Sequence, residues 1–126
     1  MADPVKADGL AVGFVGFGEA AFHIARGLRQ PGIASITAYD INTHTPGLGE
    51  KIRQRAAEAG VHLAESNEEL IGSCEIVLST VTSNQAVRAV EQNAPYLRAS
   101  HLYADLNSVS PGLKQSIARM IEATGA

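Results

Sequence analysis

Apolar residues fall into two alternating rhythms along this chain: short continuous runs, and longer stretches where they recur every three or four positions. Continuous runs suit strands buried on both faces, and the longer stretches suit helices with one apolar side. Ala11 to Val15 is the first run, and a helix over about Glu19 to Arg29 follows, with Ala21, Ile24, Ala25 and Leu28 on one face and Pro31-Gly32 as its stop. Ser35 to Asp40 predicts a second strand. A loop through Asn42, Thr43 and Pro46 then leads to a helix where Leu48, Ile52, Ala56 and Ala59 share a face and Gly60 ends the pattern. Val61 to Ala64 predicts a third strand, and Ser66-Asn67-Glu68-Glu69 has the form of a capping box opening a short helix that ends near Gly72. Glu75 to Thr80 carries the fourth strand. From about Asn84 a further helix sets Val87, Val90, Ala94 and Leu97 on one face, with Pro95 ending or kinking it near Asn93. His101 to Asp105 predicts the fifth strand. Ser110 and Pro111 read as N-cap and N1 of a last helix with Leu113, Ile117, Met120 and Ile121 inward and Gly125 at its end.

Strands that alternate with helices in this way build β-α-β units around a parallel sheet, the α/β class. Right-handed crossovers give a Rossmann-type, doubly wound sheet of strand order 3-2-1-4-5, with a ligand-binding crevice between strands one and four at their carboxyl ends. At 126 residues, 45% hydrophobic and 18% charged, the chain suits a single domain over residues 10–126 behind a flexible tail over residues 1–9. A net charge of −3, a pI near 5.7 and no cluster of Lys and Arg argue against nucleic-acid or polybasic membrane contacts. Cys74 is the one cysteine, so no intrachain disulfide forms, and at the entrance to strand four it reads as a small buried hydrophobe rather than a nucleophile. His23, His44, His62 and His101 are too scattered to mark a zinc site. The opening residues lack a secretory signal pattern and no apolar stretch reaches membrane-spanning length, so a cytoplasmic protein is the expectation.

The chemistry concentrates where strands end. Gly16-Phe17-Gly18-Glu19-Ala20-Ala21 matches the G-x-G-x-x-[G/A] turn that sets a dinucleotide pyrophosphate on a helix N-terminus. Gly16 permits the tight turn, Gly18 a close approach of phosphate to backbone, and Ala21 close helix–sheet packing. Asp40 follows roughly 20 residues later, where such folds hold the adenosine ribose. Its carboxylate would accept from both ribose hydroxyls and repel a 2′-phosphate, favouring NAD over NADP, and no Arg or Lys lies between it and Lys51. The plainer alternative for Asp40 is a turn residue or helix cap. Thr80, Val81 and Thr82 face the same crevice and are candidates to line the ribose and nicotinamide side, although Thr82 or Ser83 equally suits a helix cap. Beyond strand five, Asp105-Leu106-Asn107-Ser108-Val109-Ser110-Pro111 is either a polar substrate-holding cluster or a loop and cap.

Taken together, these residues resemble the β-hydroxyacid dehydrogenases, which include 6-phosphogluconate and 3-hydroxyisobutyrate dehydrogenases. Val12 to Leu28 (V-G-F-V-G-F-G-E-A-A-F-H-I-A-R-G-L) is similar to that family's cofactor-binding start, and D-L-N-S-V-S-P from Asp105 to its substrate loop. The resemblance implies that Gly16, Gly18 and Asp40 hold the cofactor and that Asn107 and Ser108 touch substrate; Phe17, Glu19 and Ala20 of the turn, with Thr80, Val81 and Thr82, complete the candidate cofactor-binding set. Members that prefer NADP usually carry Asn-Arg-Thr after strand two, whereas this chain has Asp40-Ile41-Asn42, which favours NAD and leaves NADP as the alternative. The family's catalytic Lys, its second glycine-rich substrate motif and its helical C-terminal domain have no counterpart in these 126 residues, and Lys6, Lys51 and Lys114 do not match the catalytic position.

The implied function is the NAD(P)-binding half of an oxidoreductase acting on a small hydroxy acid, inactive without a Lys-bearing domain, as a truncated or naturally short form. Neither catalytic nor metal-ligating residues are assigned within it. A homo-oligomer is compatible with the exposed face that a missing domain would leave. A non-catalytic dinucleotide-binding or sensing module is the alternative from another class. An S-adenosylmethionine-dependent methyltransferase would share the glycine turn and the acid after strand two, but not the D-L-N-S-V-S-P match.

Overall fold

A computed structural model describes residues 9–126, so the tail expected over residues 1–9 lies, apart from Gly9, outside the described residues. Among the described residues five strands form one parallel sheet: β1 (Leu10–Val15), β2 (Ile33–Tyr39), β3 (His62–Leu63), β4 (Ile76–Ser79) and β5 (Leu102–Asp105). Their order is β3-β2-β1-β4-β5, which is the expected one. The crossovers carry α1 (Glu19–Leu28), α2 (Leu48–Ala59), α3 (Asn67–Gly72) and α4 (Ala86–Asn93), and α5 (Pro111–Glu122) follows β5.

Because successive side chains on a strand point to opposite faces, β1 serves two cores. Ala11 and Val15 join Leu70, Ile71, Val77, Val90, Ile117 and Ile121 on the face covered by α3, α4 and α5. Val12 and Phe14 point the other way, among Phe17, Ala21, Ala25, Ile52 and Ala56 beneath α1 and α2. Helices on both faces explain why the strands read as continuous apolar runs rather than as alternating ones.

The helix boundaries and faces depart from the expected ones in instructive places. α1 buries Ala21, Phe22 and Ala25, while Ile24 and Leu28 stay half-buried at its edge. Leu48, expected inward, is 45% exposed, and Gly49 takes the inward position because a Cβ there would stand 2.3 Å from the Thr43 carbonyl oxygen. α4 is preceded by a 3-10 turn over Ser83–Gln85 and followed by another over Ala94–Tyr96, the latter containing Pro95. Its buried residues are Ala86, Ala89, Val90 and Asn93; of the expected set Val90 and Leu97 are buried and Val87 packs half-buried on the same core, while Ala94 lies in the turn that follows. The polar Asn93 is half accommodated there: its Nδ2 donates to the Ala89 carbonyl at 2.7 Å, while its Oδ1 is buried without a hydrogen-bond partner. β3 keeps only two of the four expected residues. Ser66 and Ser110 cap α3 and α5 as expected, accepting from Glu69 N–H and Leu113 N–H.

Cys74 is buried as a free thiol beside β1. Burial, reinforced by the Glu75 carboxylate, pushes the thiol up to about 12, and burial likewise pushes the Tyr103 phenol up to about 12. Both groups stay neutral in the fold while their unfolded counterparts ionise near pH 9.0 and 10.0, so stability present below pH 9 drains away as the pH rises toward 12. Urea melts from pH 8 upward should show that loss, and Cys74→Ala should remove the part that begins near pH 9; identical slopes in the two proteins would refute it. A second prediction concerns packing. A Cβ on Gly13 would meet Cys74 Sγ at 2.6 Å and Leu70 Cδ1 at 3.1 Å. Gly13→Ala should therefore cost about 1–3 kcal/mol, and Cys74→Ala, by removing the sulfur, should reduce that cost in a double-mutant cycle of urea melts.

Candidate functional site

β1 leaves the sheet through Gly16, whose φ of +86° lies in the left-handed region that disfavours side chains. Three strands hold this residue. Gly16 N–H donates to the Tyr39 carbonyl at the end of β2 at 2.8 Å, and Thr80, just past β4, donates its hydroxyl to the Gly16 carbonyl at 2.8 Å and its N–H to Val15 at 2.9 Å. A Cβ on Gly16 would stand 2.7 Å from the Thr80 carbonyl oxygen, so the protein's own packing requires glycine here.

Gly18 differs in kind. It precedes α1 with ordinary negative φ, no side chain caps the helix, and a Cβ built on it would meet nothing within 4 Å. The fold itself makes no demand for glycine at this position, and the vacant space opens toward the N-terminus of α1, where unpaired N–H groups and the helix dipole attract anions. Phe17, between the two glycines, is fully buried against Phe14 with ring centroids 6.0 Å apart. Its ring anchors the turn from below rather than lining the cavity, and its N–H donates to Asp40 Oδ2 at 2.8 Å.

Asp40 is the first residue after β2. Its Oδ1 accepts from Asn42 N–H at 2.8 Å, so the carboxylate is held by one N–H of the glycine turn and one of its own loop. It is thus both a turn residue and a member of the cavity lip, and each oxygen retains a lone pair. The cavity has a volume of about 320 Å³. It is lined by Gly16, Gly18, Glu19, Ala20, Asp40, Thr80, Val81 and Thr82, which brings together all the expected cofactor residues except Phe17. Glu19 stands 3.8 Å from His23 one turn along α1, both well exposed.

Beyond the expected set, the lining takes in Val15, Ala21, Tyr39 and Asn42 along the same segments, and five residues that the sequence reading does not place there. Ile41, 64% exposed, forms an apolar lip beside Asp40, while Asn67, Gln85, Ala89 and Gln92 reach the cavity from α3, the 3-10 turn and α4. No motif marks the last four, because crossover helices bring them in from a distance. Arg53 was missed in a related way: one helical stretch after the loop, it folds back so that its guanidinium donates to the Thr43 carbonyl, placing a cation beside a segment that has none of its own.

The loop after β5 stands apart from this cavity, and neither Asn107 nor Ser108 lines it. Asn107 is 7% exposed, with its amide turned inward to Val81 N–H and the Ser79 hydroxyl. Ser108 is exposed. Lys114 Nζ donates to the Asp105 carbonyl at 2.8 Å and to its Oδ1 at 3.1 Å. Among the described residues no group of three His, Cys, Asp or Glu is placed to hold a metal ion, and no helix is long and apolar enough to cross a membrane.

Residues 11–126 match the model of the NAD binding domain of 6-phosphogluconate dehydrogenase. No curated protein matches the chain significantly. Among solved structures, a conserved hypothetical protein from Sinorhizobium meliloti 1021 is 32% identical, with a TM-score of 0.83 over 95% of this chain and 40% of its own length. An imine reductase from Myxococcus stipitatus shares the fold at 18% identity, as a V8 variant in complex with NAD+ (TM-score 0.75, covering 92% of this chain and 38% of that one) and in complex with NADP+ (TM-score 0.73, 91% and 38%). The chain thus spans about two fifths of the length of these proteins.

The two glycines should respond oppositely to the same change. Gly16→Ala should lower stability by about 1–3 kcal/mol through the left-handed φ and the Thr80 clash, whereas Gly18→Ala should keep the wild-type melting temperature or raise it slightly. Thermal unfolding of both variants measures this, and equal destabilisation would show that Gly18 too is needed by the fold.

Proposed function

This chain belongs to the family of the 6-phosphogluconate dehydrogenase NAD-binding domain, and we propose that it is the cofactor-binding half of an oxidoreductase acting on a small hydroxy acid, preferring NAD to NADP. The observation that carries this reading is the pairing of vacant space over Gly18 with a fixed carboxylate at Asp40, on one cavity at the carboxyl ends of the strands. A cradle that a Cβ would fill, beside an uncapped helix N-terminus, fits a pyrophosphate. When bound, the nicotinamide ring accepts or supplies a hydride.

The residues of this chain bind and orient. Gly18 and the first turn of α1 receive the phosphates, and Asp40 accepts from the adenosine ribose hydroxyls. Ile41 covers the adenosine with apolar surface, and Thr80, Val81 and Thr82 form the wall toward the nicotinamide. Ser108 is the exposed candidate for a substrate contact. The cavity lining contains no lysine or histidine, and in this reading the group that exchanges the hydroxyl proton comes from outside it. A second part of the protein supplying that group would find apolar surface at Leu102 and Leu106, which are 63% and 50% exposed along the β5 edge. A buried free thiol as the lone cysteine suits a cytoplasmic setting.

Asp40 sets the cofactor preference in this account. Asp40→Asn keeps one acceptor for the turn but removes the charge, so NAD should weaken by about tenfold and its margin over NADP should shrink. Titration calorimetry of both dinucleotides against both proteins measures the difference, and tighter binding of NADP by the wild type would contradict the assignment.

A further inference from the structure

We infer that Asn107 is a positioning residue for the dinucleotide cavity: through the peptide of Val81 it holds the wall in its receiving conformation without itself touching the ligand. The inference rests on the cavity's being a dinucleotide site. β4 ends at Ser79, so the segment after it leaves the sheet's ladder. Thr80 is still tied to β1, but Val81 turns its N–H to Asn107 Oδ1 at 2.8 Å. Val81 also packs beside the glycine turn, its Cγ1 lying 2.9 Å from where a Cβ on Gly16 would be. The Asn107 amide therefore stands one hydrogen bond behind the cavity wall.

Its own position is well determined. Nδ2 donates to Ser79 Oγ at 3.0 Å and the backbone N–H donates to Asp105 Oδ1 at 2.8 Å, the same oxygen that accepts from Lys114. The Asp105 side chain is 8% exposed, and Lys114 anchors it from α5. With Asn107 shortened, the Val81 N–H loses its acceptor, and the wall is free to move toward another partner or toward water. A role in substrate binding requires the amide to face outward, and a purely structural role would leave the bound dinucleotide indifferent to its loss.

The test separates these by comparing NAD, which spans the cavity, with AMP, which occupies only the Asp40 end. For Asn107→Ala the account expects NAD affinity to fall by about tenfold while AMP affinity stays within about twofold. Ser79→Ala, which removes the other partner of the amide but leaves the Val81 link, should keep NAD affinity at the wild-type value whatever it does to the melting temperature. Independently of whether the alanine variant folds, the Val81 amide resonance of the wild type should shift on adding NAD and stay in place with AMP. Unchanged NAD affinity in a folded Asn107→Ala protein, an equal loss for NAD and AMP, or a Val81 amide indifferent to NAD would each overturn the proposal. Were the wild type to bind neither NAD nor AMP, the dinucleotide reading of the cavity would fall with it. NAD binding together with any of the other three results would leave that reading standing.

Discussion

The left-handed turn at Gly16 joins everything that matters in this domain. One residue makes hydrogen bonds that tie β1 to the ends of both neighbours, donating its N–H to Tyr39 of β2 and accepting from Thr80 just after β4. A parallel sheet needs crossovers that leave its carboxyl edge open, and the point where they diverge to opposite faces becomes a crevice. Here α1 departs toward one face, while the segment beyond β4 leads to α4 on the other. Without the positive φ at Gly16 the chain would not clear Thr80, and the cavity would lose its floor.

Around that turn the two glycines divide two requirements that sequence motifs run together. Gly16 answers to the protein's own backbone, because a side chain there collides with Thr80. Gly18 answers to nothing in the protein, and the space its missing side chain leaves is where the helix N-terminus is open to an anion. Asp40 belongs to both sets. It receives the Phe17 N–H and so stiffens the turn, yet its carboxylate remains at the cavity lip. A charge already held by two backbone N–H groups is preorganised, and binding a ribose then requires little further ordering of the side chain.

Most of the fold was legible because its signals are local. Continuous apolar runs marked the strands, Gly60 marked the end of α2, and Ser66 and Ser110 marked helix starts, since caps and left-handed terminators act within a few residues. The errors arose where tertiary contacts overrode local pattern. The buried face of α4 takes in Asn93, polar by composition, whose Nδ2 donates to its own helix while its Oδ1 stays unpaired, which no periodicity reveals. Leu48 looked like core until the collision of any side chain at Gly49 with Thr43 set the helix orientation. The cavity was legible along the glycine turn, Asp40 and Thr80–Thr82. Asn67, Gln92 and the cation of Arg53 were not, because their relevance comes from how crossover helices fold back. Asn107 is marked by motif, but the inward turn of its amide is not, since sequence carries no information on which way a loop amide points.

A crystal structure of this chain with NAD bound would test the central claim most directly. The account predicts the pyrophosphate against the backbone at Gly18 and the N-terminus of α1, with the adenosine ribose hydroxyls on Asp40. Density for the dinucleotide elsewhere, or a bound ribose turned away from Asp40, would contradict it.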